Sequence, residues 1–191
     1  AFGFTQQYDV SSKIVVLGGE GDDVINLSGI TNAGITYEIE GGVGNDVITL
    51  NANAGAAFIR GGAGDDTITA GAGADVIYGE QGNDTINSGG GGDLVFADDG
   101  KIGEDGLTLK SSNFGGGADT VNAGAGNDVV FGGGGIDTLN GDDGDDVVIG
   151  DGGLVTLGAP NAFTNISLVE DTDSASGGAD TIHGNEGSDR V

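Results

Sequence analysis

The chain lacks several residue types, and each absence limits what the protein can be. Its 191 residues include no cysteine, methionine or tryptophan, and lysine and arginine together number only five. The absence of cysteine excludes disulfide bonds and thiolate metal sites. Against 31 aspartates and glutamates, the few basic side chains leave a formal net charge of −26. Because that charge repels nucleic-acid phosphates and anionic membrane surfaces, cations are the natural partners.

Long hydrophobic segments are also missing from the sequence. No apolar run is long enough to span a bilayer, and the N-terminus lacks the basic and apolar segments of a secretory signal. The chain starts at Ala1 rather than at a methionine and stops at Val191 in the middle of a repeating pattern. We therefore expect a block cut from a longer protein, with no membrane insertion by this segment.

Glycine is abundant, and the spacing between glycine and aspartate is regular. The sequence holds 43 glycines and fourteen Gly-x-Asp triplets, and in thirteen triplets the residue two places after the aspartate is aliphatic. With 36% hydrophobic residues overall, chance would give this regularity about once in 10⁵ trials. A disordered acidic linker could share the composition, but it would not share the periodicity. The pattern favours a folded repeat protein.

Twelve of the triplets fit nine-residue windows that place the aspartate at position 6 and an aliphatic residue at position 8. The windows are contiguous from Gly61 to Phe96 and again from Phe114 to Ile149. The aspartates at position 6 are Asp23, Asp46, Asp66, Asp75, Asp84, Asp93, Asp119, Asp128, Asp137, Asp146, Asp180 and Asp189. The aliphatic residues at position 8 are Ile25, Ile48, Ile68, Ile77, Ile86, Val95, Val121, Val130, Leu139, Val148, Ile182 and Val191.

Each window predicts a glycine-rich turn followed by a short strand. Side chains alternate along a strand, so position 8 points inward and positions 7 and 9 point outward. Nine residues then make half a coil and eighteen make a full one. Turns on the same face stack at the strand spacing of roughly 4.8 Å. The sequence thus predicts an all-β protein, a parallel β-roll with 18-residue coils that two insertions interrupt.

The turns have the composition of a metal site. Glycines permit positive φ angles, which let backbone carbonyls point into the gap between stacked turns, and each position-6 aspartate adds a carboxylate. Calcium takes 6–8 oxygen ligands, whereas magnesium requires a stricter octahedral geometry, so calcium is the predicted ion. The candidate ligands are the twelve position-6 aspartates. They are joined by the carbonyls of Gly19, Gly21, Gly42, Gly44, Gly62, Gly64, Gly71, Gly73, Gly82, Gly89, Gly91, Gly117, Gly124, Gly126, Gly133, Gly135 and Gly144.

Electrostatics predicts that folding depends on the ion. Carboxylates stacked at about 4.8 Å repel by roughly 1–3.5 kcal/mol per neighbouring pair. A column of them opposes folding unless a counter-ion is present, so we expect the metal-free chain to be largely unfolded and metal binding to fold it. With two ligating turns per ion, roughly six to nine calcium ions are expected.

The spacing of the aspartates assigns them to two faces of the roll. Three segments would be half-coils that keep the inward aliphatic residue but lack the aspartate: Asp9–Leu17, Asn32–Glu40 and Ala52–Arg60, with Val16, Ile39 and Ile59 inward. The predicted stacks are Asp23, Asp46, Asp66 and Asp84 on one face, Asp75 and Asp93 on the other, and later Asp119 with Asp137 and Asp128 with Asp146. This predicts a one-sided column early in the chain and two columns later.

Two insertions divide the repeats, which gives six predicted segments. They are a lead-in with a first degenerate half-coil (1–17), a first repeat run (18–96), an insertion (97–113), a second run (114–149), a hairpin-like insertion (150–174) and a third run (175–191). The hairpin is predicted from Leu154–Leu157 and Phe163–Leu168, which flank a Gly-Ala-Pro-Asn turn. Asp105 matches the motif out of register. The sequence assigns no role to Asp105 or to the position-2 aspartates Asp98, Asp142 and Asp151.

The windows Gly18–Asn26, Gly41–Thr49 and Gly61–Thr69 resemble the nonapeptide of RTX (repeat-in-toxin) proteins, a family of calcium-binding parallel β-rolls. The resemblance implies export in an unfolded state through type I secretion machinery, followed by folding outside the cell where calcium is abundant. It implies a secreted, extracellular or cell-surface location. Three roles share the calcium chemistry: a calcium-triggered folding and secretion module, a repeat spacer of a large surface adhesin, and the accessory tail of a secreted protease, lipase or cytolysin.

Other site types are less consistent with the sequence. The glycine spacing resembles phosphate-binding loops, but no Gly-Lys-Ser/Thr follows and the surroundings are acidic. His183 is the only histidine, and without another histidine or a cysteine it is expected to be a surface residue rather than a zinc ligand. No catalytic residue and no organic cofactor is predicted, so the segment is not expected to be an enzyme. A surface or host ligand is not identified by the sequence.

Overall fold

The computed structural model describes residues 12–32, 34–111, 116–158, 166–173 and 178–191. All eighteen regular elements in these ranges are β-strands, and no helix able to cross a membrane occurs there. The first nine strands are β1 (Lys13–Glu20), β2 (Val24–Asn26), β3 (Thr36–Val43), β4 (Val47–Thr49), β5 (Ala57–Ala63), β6 (Thr67–Thr69), β7 (Val76–Gln81), β8 (Thr85–Asn87) and β9 (Leu94–Phe96). The other nine are β10 (Gly100–Ile102), β11 (Thr108–Ser111), β12 (Thr120–Asn122), β13 (Val129–Phe131), β14 (Thr138–Asn140), β15 (Val147–Ile149), β16 (Gly152–Leu157), β17 (Ile166–Asp173) and β18 (Thr181–His183).

Fourteen of the strands form the two walls of a parallel β-roll. One seven-stranded sheet, here called sheet A, has the order β1-β3-β5-β7-β9-β13-β15. The other, sheet B, has the order β18-β14-β12-β8-β6-β4-β2. The chain alternates between the two sheets, and all neighbouring strands within them are parallel. The predicted all-β parallel roll is confirmed.

The interior of the roll is made by position 8 of each repeat. Ile25, Ile48 and Ile68 are aligned on successive strands of sheet B, and all three are buried. Ten of the twelve predicted inward residues are buried, whereas Ile182 is half-buried and Val191 is exposed. Ile39 and Ile59 are also buried, so the half-coils without an aspartate contribute to the same core.

The two insertions together form a third sheet. Strands β10 and β11 come from the first insertion and β16 and β17 from the second, and they form an antiparallel sheet in the order β10-β11-β16-β17. The insertions meet where Leu109 of β11 faces Val155 of β16. Strands β16 and β17 pair antiparallel, with Gly152 opposite Asp173 at one end and Leu157 opposite Ile166 at the other. Residues 163–165 of the predicted hairpin's second strand lie outside the described ranges.

This third sheet, here called the covering sheet, covers the outer face of the later strands of sheet A and creates a second hydrophobic core. Leu109, Val155 and Leu157 pack with the outward-pointing residues of sheet A. Those outward residues, at positions 7 and 9 of their repeats, are Tyr78, Leu94, Phe96, Val129, Phe131, Val147 and Ile149. They do point out of the roll as predicted, but they meet protein rather than solvent.

Candidate calcium-binding columns

The position-6 aspartates form two columns of hydrogen-bonded carboxylates, one at each junction between the sheets. In each column the Oδ1 atom of one aspartate accepts a hydrogen bond from the backbone N–H of the aspartate one coil earlier. Column one consists of Asp23, Asp46, Asp66, Asp84, Asp119, Asp137 and Asp180, with N–O distances of 2.7–3.0 Å. Column two consists of Asp75, Asp93, Asp128, Asp146 and Asp189, with N–O distances of 2.7–3.1 Å.

The predicted assignment of aspartates to faces matches this arrangement. Column one begins at Asp23, whereas column two begins at Asp75, whose Oδ1 accepts from the backbone N–H of Ala57. Ala57 takes the place of an aspartate in the preceding half-coil. The early coils therefore contribute aspartates to column one only. Both columns also continue across the first insertion, since Asp84 bonds to Asp119 and Asp93 to Asp128.

The second carboxylate oxygen of most column aspartates is buried and has no hydrogen-bond partner among the described residues. Nine aspartates share this feature at Oδ2: Asp23, Asp46, Asp66, Asp84, Asp93, Asp119, Asp128, Asp137 and Asp146. A buried carboxylate oxygen without a donor is unfavourable, and one such atom usually has a structural explanation. Its repetition at the same position in nine repeats indicates a common ligand.

Glycine at position 1 leaves space beside this oxygen. A Cβ atom at Gly41 would overlap the Oδ2 atom of Asp46 and the carbonyl oxygen of Gly61 in the next coil. The same crowding occurs at Gly61, beside Asp66 and the carbonyl of Gly79. The unpartnered oxygens of Asp46 and Asp66 therefore lie next to a carbonyl of the adjacent coil.

Glycines at positions 2 and 4 bring further carbonyls towards the neighbouring coil. A Cβ at Gly62 would overlap the carbonyl oxygen of Gly42, and a Cβ at Gly64 would overlap that of Gly44. Gly42 and Gly44 have φ angles of 118° and 133°, which favour glycine. Of the seventeen glycines predicted to supply carbonyls, all but Gly71, Gly73 and Gly117 have such positive φ angles.

The donor set fits a hard divalent cation. Each gap combines carboxylate and carbonyl oxygens, which are the ligands that calcium takes in proteins. No three histidine, aspartate or glutamate side chains converge on one point in the described ranges, as expected where one carboxylate acts with main-chain oxygens. Neither ion pair found there, Lys13–Glu38 or Arg60–Glu80, includes a column aspartate.

Burial makes the ionised columns unfavourable without a cation. Desolvation, together with the charges of Asp119 and Asp66, raises the pKa of Asp84 to about 8, although a backbone hydrogen bond lowers it. Desolvation likewise raises the pKa of Asp128 to about 8 and that of Asp75 to about 7. A bound cation would reverse this effect, because it favours the charged form.

One aspartate in the first insertion, outside both columns, has different surroundings. Asp105 is exposed and lies in the turn between β10 and β11, where its Oδ1 accepts from the backbone N–H groups of Leu107 and Thr108. These bonds lower the pKa of its carboxyl group. Asp105 therefore stabilises a turn of the insertion and belongs to neither column.

Position 5 forms a surface ladder that the sequence analysis did not identify. The Oδ1 atom of Asp22 accepts from the backbone N–H of Asn45, and Asn45 in turn accepts from Asp65. Asp65 accepts from Asn83 and Asp145 from Ser188. The recurrence of aspartate or asparagine at position 5 was the available signal, because both can accept a hydrogen bond from the next coil.

A family model described as RTX calcium-binding nonapeptide repeat (4 copies) matches residues 15–29, 51–86, 60–95, 115–139, 124–154 and 171–191, together more than half of the chain. No curated protein and no solved structure matches the chain significantly. The repeat model, the parallel roll and the stacked aspartates agree with one another. The chain belongs to the RTX calcium-binding nonapeptide repeat family.

Proposed function

We propose that this segment is a calcium-dependent folding module of a secreted protein, in which the twelve column aspartates and the turn carbonyls bind calcium. The family supports a calcium-binding repeat module with a structural rather than a catalytic role. The observation that carries the proposal is the row of buried Oδ2 atoms without hydrogen-bond partners. Calcium in the gaps would give these oxygens a ligand and cancel the repulsion along each column.

The number of gaps along the columns supports an ion count of the expected order. Seven aspartates in column one leave six gaps between consecutive coils, and five in column two leave four. Complete occupancy would slightly exceed the six to nine ions expected from the sequence. The division of the chain into three repeat runs and two insertions remains a prediction.

A requirement for calcium would couple folding to location. In a compartment poor in calcium the columns would stay charged and the chain unfolded, which suits passage through type I secretion machinery. Outside the cell, calcium would fold the repeats. We therefore place the protein in the extracellular space or on the cell surface, as part of a larger protein whose activity lies elsewhere in its chain.

Calcium titration followed by circular dichroism tests this proposal. The chelator-treated chain should show a coil spectrum, and calcium should convert it cooperatively to β-structure, with calorimetry reporting several ions per chain. Magnesium at the same concentration is the control and should replace calcium only weakly, because it requires stricter octahedral geometry. A chain that keeps its full β-spectrum after exhaustive chelation would contradict the proposal.

A second candidate is a rigid spacer in a large surface adhesin. The observation that favours it is continuity, since both columns run past the first insertion without losing a hydrogen bond. Sequence upstream of Ala1 would separate the two: many further repeats would indicate a spacer, and a catalytic motif would indicate the tail of an enzyme. Both candidates use the same calcium sites.

A further inference from the structure

The first insertion leaves the roll in the middle of a turn, directly after Asp98. A Cβ at Gly79 would overlap the carbonyl oxygen of Ala97. One coil earlier, a Cβ at Gly61 would overlap the carbonyl oxygen of Gly79 in the same way. Ala97 and Asp98 therefore occupy positions 1 and 2 of a column-one turn. The chain re-enters this turn near Gly117, whose Cβ would overlap the carbonyl oxygen of Gly82. The turn ends at Asp119.

Asp98 is buried inside the roll, unlike Glu80 and Asp142, which occupy position 2 of two other turns. Glu80 and Asp142 have positive φ angles of 79° and 71°. Glu80 forms an ion pair with Arg60, and Asp142 accepts a hydrogen bond from the Asn185 side chain. Asp98 does not adopt a positive φ, and only 1% of its surface is exposed.

The Asp98 carboxylate lies in one gap of column one. Its Oδ2 atom accepts a hydrogen bond from the backbone N–H of Gly134 at 2.5 Å, and a Cβ at Gly133 would overlap it. Gly133 and Gly134 belong to the turn that ends at Asp137, so Asp98 spans the space between that turn and the Asp119 turn. Its Oδ1 atom is buried and has no hydrogen-bond partner among the described residues.

The same gap already contains a column carboxylate. Asp137 reaches across it, with Oδ1 accepting from the backbone N–H of Asp119 at 2.9 Å, while its buried, unpartnered Oδ2 lies beside the carbonyl oxygen of Gly150 in the following turn. The carbonyl oxygen of Gly117 also points into the gap, where a Cβ atom at Gly135 would overlap it. Burial raises the pKa of Asp98, and the charges of Asp119 and Asp137 raise it further, which agrees with their proximity.

We propose that Asp98 and Asp137 form a two-carboxylate calcium site, the tightest in the chain, at the point where the first insertion leaves the roll. This inference rests on the proposed calcium function and extends it to a residue outside the repeat motif. Two carboxylates balance the charge of one calcium ion, whereas a gap with a single column carboxylate leaves a positive charge. A larger count of charged ligands strengthens calcium binding.

The site also gives the first insertion a role. Asp98 is the last residue of the roll before the strand β10, which begins at Gly100. A calcium ion bound by Asp98 and Asp137 would fix the exit of the insertion relative to the next coil. The covering sheet would then be anchored to the column at this point, and the tightest site would fill first during a titration.

The test compares two aspartate variants of the complete 191-residue chain. Calcium binding is measured by calorimetry and by competition with a chromophoric chelator, while circular dichroism follows folding. Asp98→Asn should weaken the tightest class of sites by about tenfold or more, because one charged ligand is lost. Asp99→Asn is the matched control, since it removes the same charge from the neighbouring exposed residue, and it should leave the tightest class unchanged.

The outcomes distinguish failure of the two-carboxylate site from failure of the proposed calcium function. Equal isotherms for Asp98→Asn and Asp99→Asn would overturn the two-carboxylate site while leaving the calcium module intact. A wild-type chain that binds no calcium would overturn the proposed function itself. If Asp98→Asn does not fold, Asp98→Gly restores the residue typical of position 2. Failure of both variants to fold in saturating calcium would overturn the proposal, because one weakened site leaves the rest of both columns intact.

Discussion

Sheet A and sheet B are built from the same nonapeptide, but their outer faces have opposite environments. In sheet B the outer positions are mostly threonine and asparagine, as in β6 (Thr67–Thr69) and β8 (Thr85–Asn87), and they face solvent. In the later strands of sheet A all three residues are apolar and buried, as in β9 (Leu94–Phe96) and β13 (Val129–Phe131). Sheet B therefore has a single buried face, whereas the later part of sheet A has two.

The difference shows that the molecule combines two modes of stabilisation. The turns depend on charge compensation in the two columns, whereas the covering sheet contributes a second hydrophobic core. Rings stack within this second core, with centroids 5.0 Å apart for Tyr78 and Phe96 and 4.9 Å apart for Phe96 and Phe131. Such pairs add to the stabilisation that burial provides. Changes in each region should therefore affect different measurements.

The largest effect is expected inside the roll, which both modes require. Ile77 is completely buried, and Ile77→Asp would remove that buried side chain at a cost of about 2–5 kcal/mol and leave an unpaired charge in the core at roughly 3–5 kcal/mol more. Since the entire stability of a domain is about 5–15 kcal/mol, the variant should remain unfolded in saturating calcium by circular dichroism. Asn87→Asp, on the exposed face of sheet B, is the control and should fold. A folded Ile77→Asp chain would contradict the assignment of position 8 to the interior.

The next largest effect tests the hydrophobic region alone. Phe131 is completely buried between sheet A and the covering sheet, and Phe131→Ala should cost about 3–5 kcal/mol. Thermal unfolding in saturating calcium measures the loss, and the number of bound ions should stay the same. Phe58→Ala is the control, because Phe58 is 36% exposed at the end of the aromatic row. A fall in ion number in Phe131→Ala would show that the two regions are not separable.

A smaller effect is expected in the columns. Asp84→Ala removes a carboxylate whose Oδ1 accepts from Asp66 and whose Oδ2 lacks a partner, and it should weaken calcium binding by about tenfold, or 1.4 kcal/mol. Asp66→Ala should act in the same way. The measurement is a calorimetric titration, with Asp105→Ala as the control because that aspartate lies in an insertion turn. If Asp84→Ala and Asp105→Ala titrate alike, the stacking scheme is wrong.

The pH dependence should have opposite signs with and without calcium. In the metal-free roll, burial raises the pKa of Asp84 to about 8 and those of Asp93 and Asp119 to about 7, from 3.8 for the free side chain. Their raised values mean that the metal-free fold is most stable below about pH 4 and loses stability as the pH rises through 7 and 8. Circular dichroism in chelator should therefore show more β-structure on acidification.

Calcium should reverse that trend. The ion binds ionised carboxylates, so its affinity should fall as the pH drops below about 6. Repeating the titration at several pH values measures this change. An acid-induced loss of β-structure in chelator, parallel to that in calcium, would contradict the role assigned to the buried carboxylates.

The smallest effect is expected on the surface ladder. Asp65→Ala removes an exposed acceptor for the backbone N–H of Asn83 and should cost about 0.5–1.5 kcal/mol. Asp65→Asn keeps the acceptor and should be close to the wild type. Calcium affinity should change little in either variant, since Asp65 lies at position 5 rather than in a column. A large loss of affinity in Asp65→Ala would extend the metal site to position 5.

The sequence predicted the roll better than it predicted the insertions. Stacking of Asp46 on Asp66 and burial of Ile48 follow from a nine-residue period and from side-chain alternation, which are local properties. The covering sheet was missed, although the apolar triplets at Leu94–Phe96 and Val129–Phe131 are typical of strands with two buried faces. The sequence did not indicate which segment would cover them.

The period of the sequence alone determined the parallel fold, the inward residues and the stacking of aspartates within each repeat run, whereas the joining of these stacks across the insertions came from the tertiary structure. The fold, the inward residues and the stacking within a run depend on residues within one or two coils. Only the tertiary structure decided that Leu109 pairs with Val155, that the later strands of sheet A are covered, and that Asp98 is buried in a gap of column one. Those features depend on contacts between segments far apart in the chain, for which a repeating pattern carries no information.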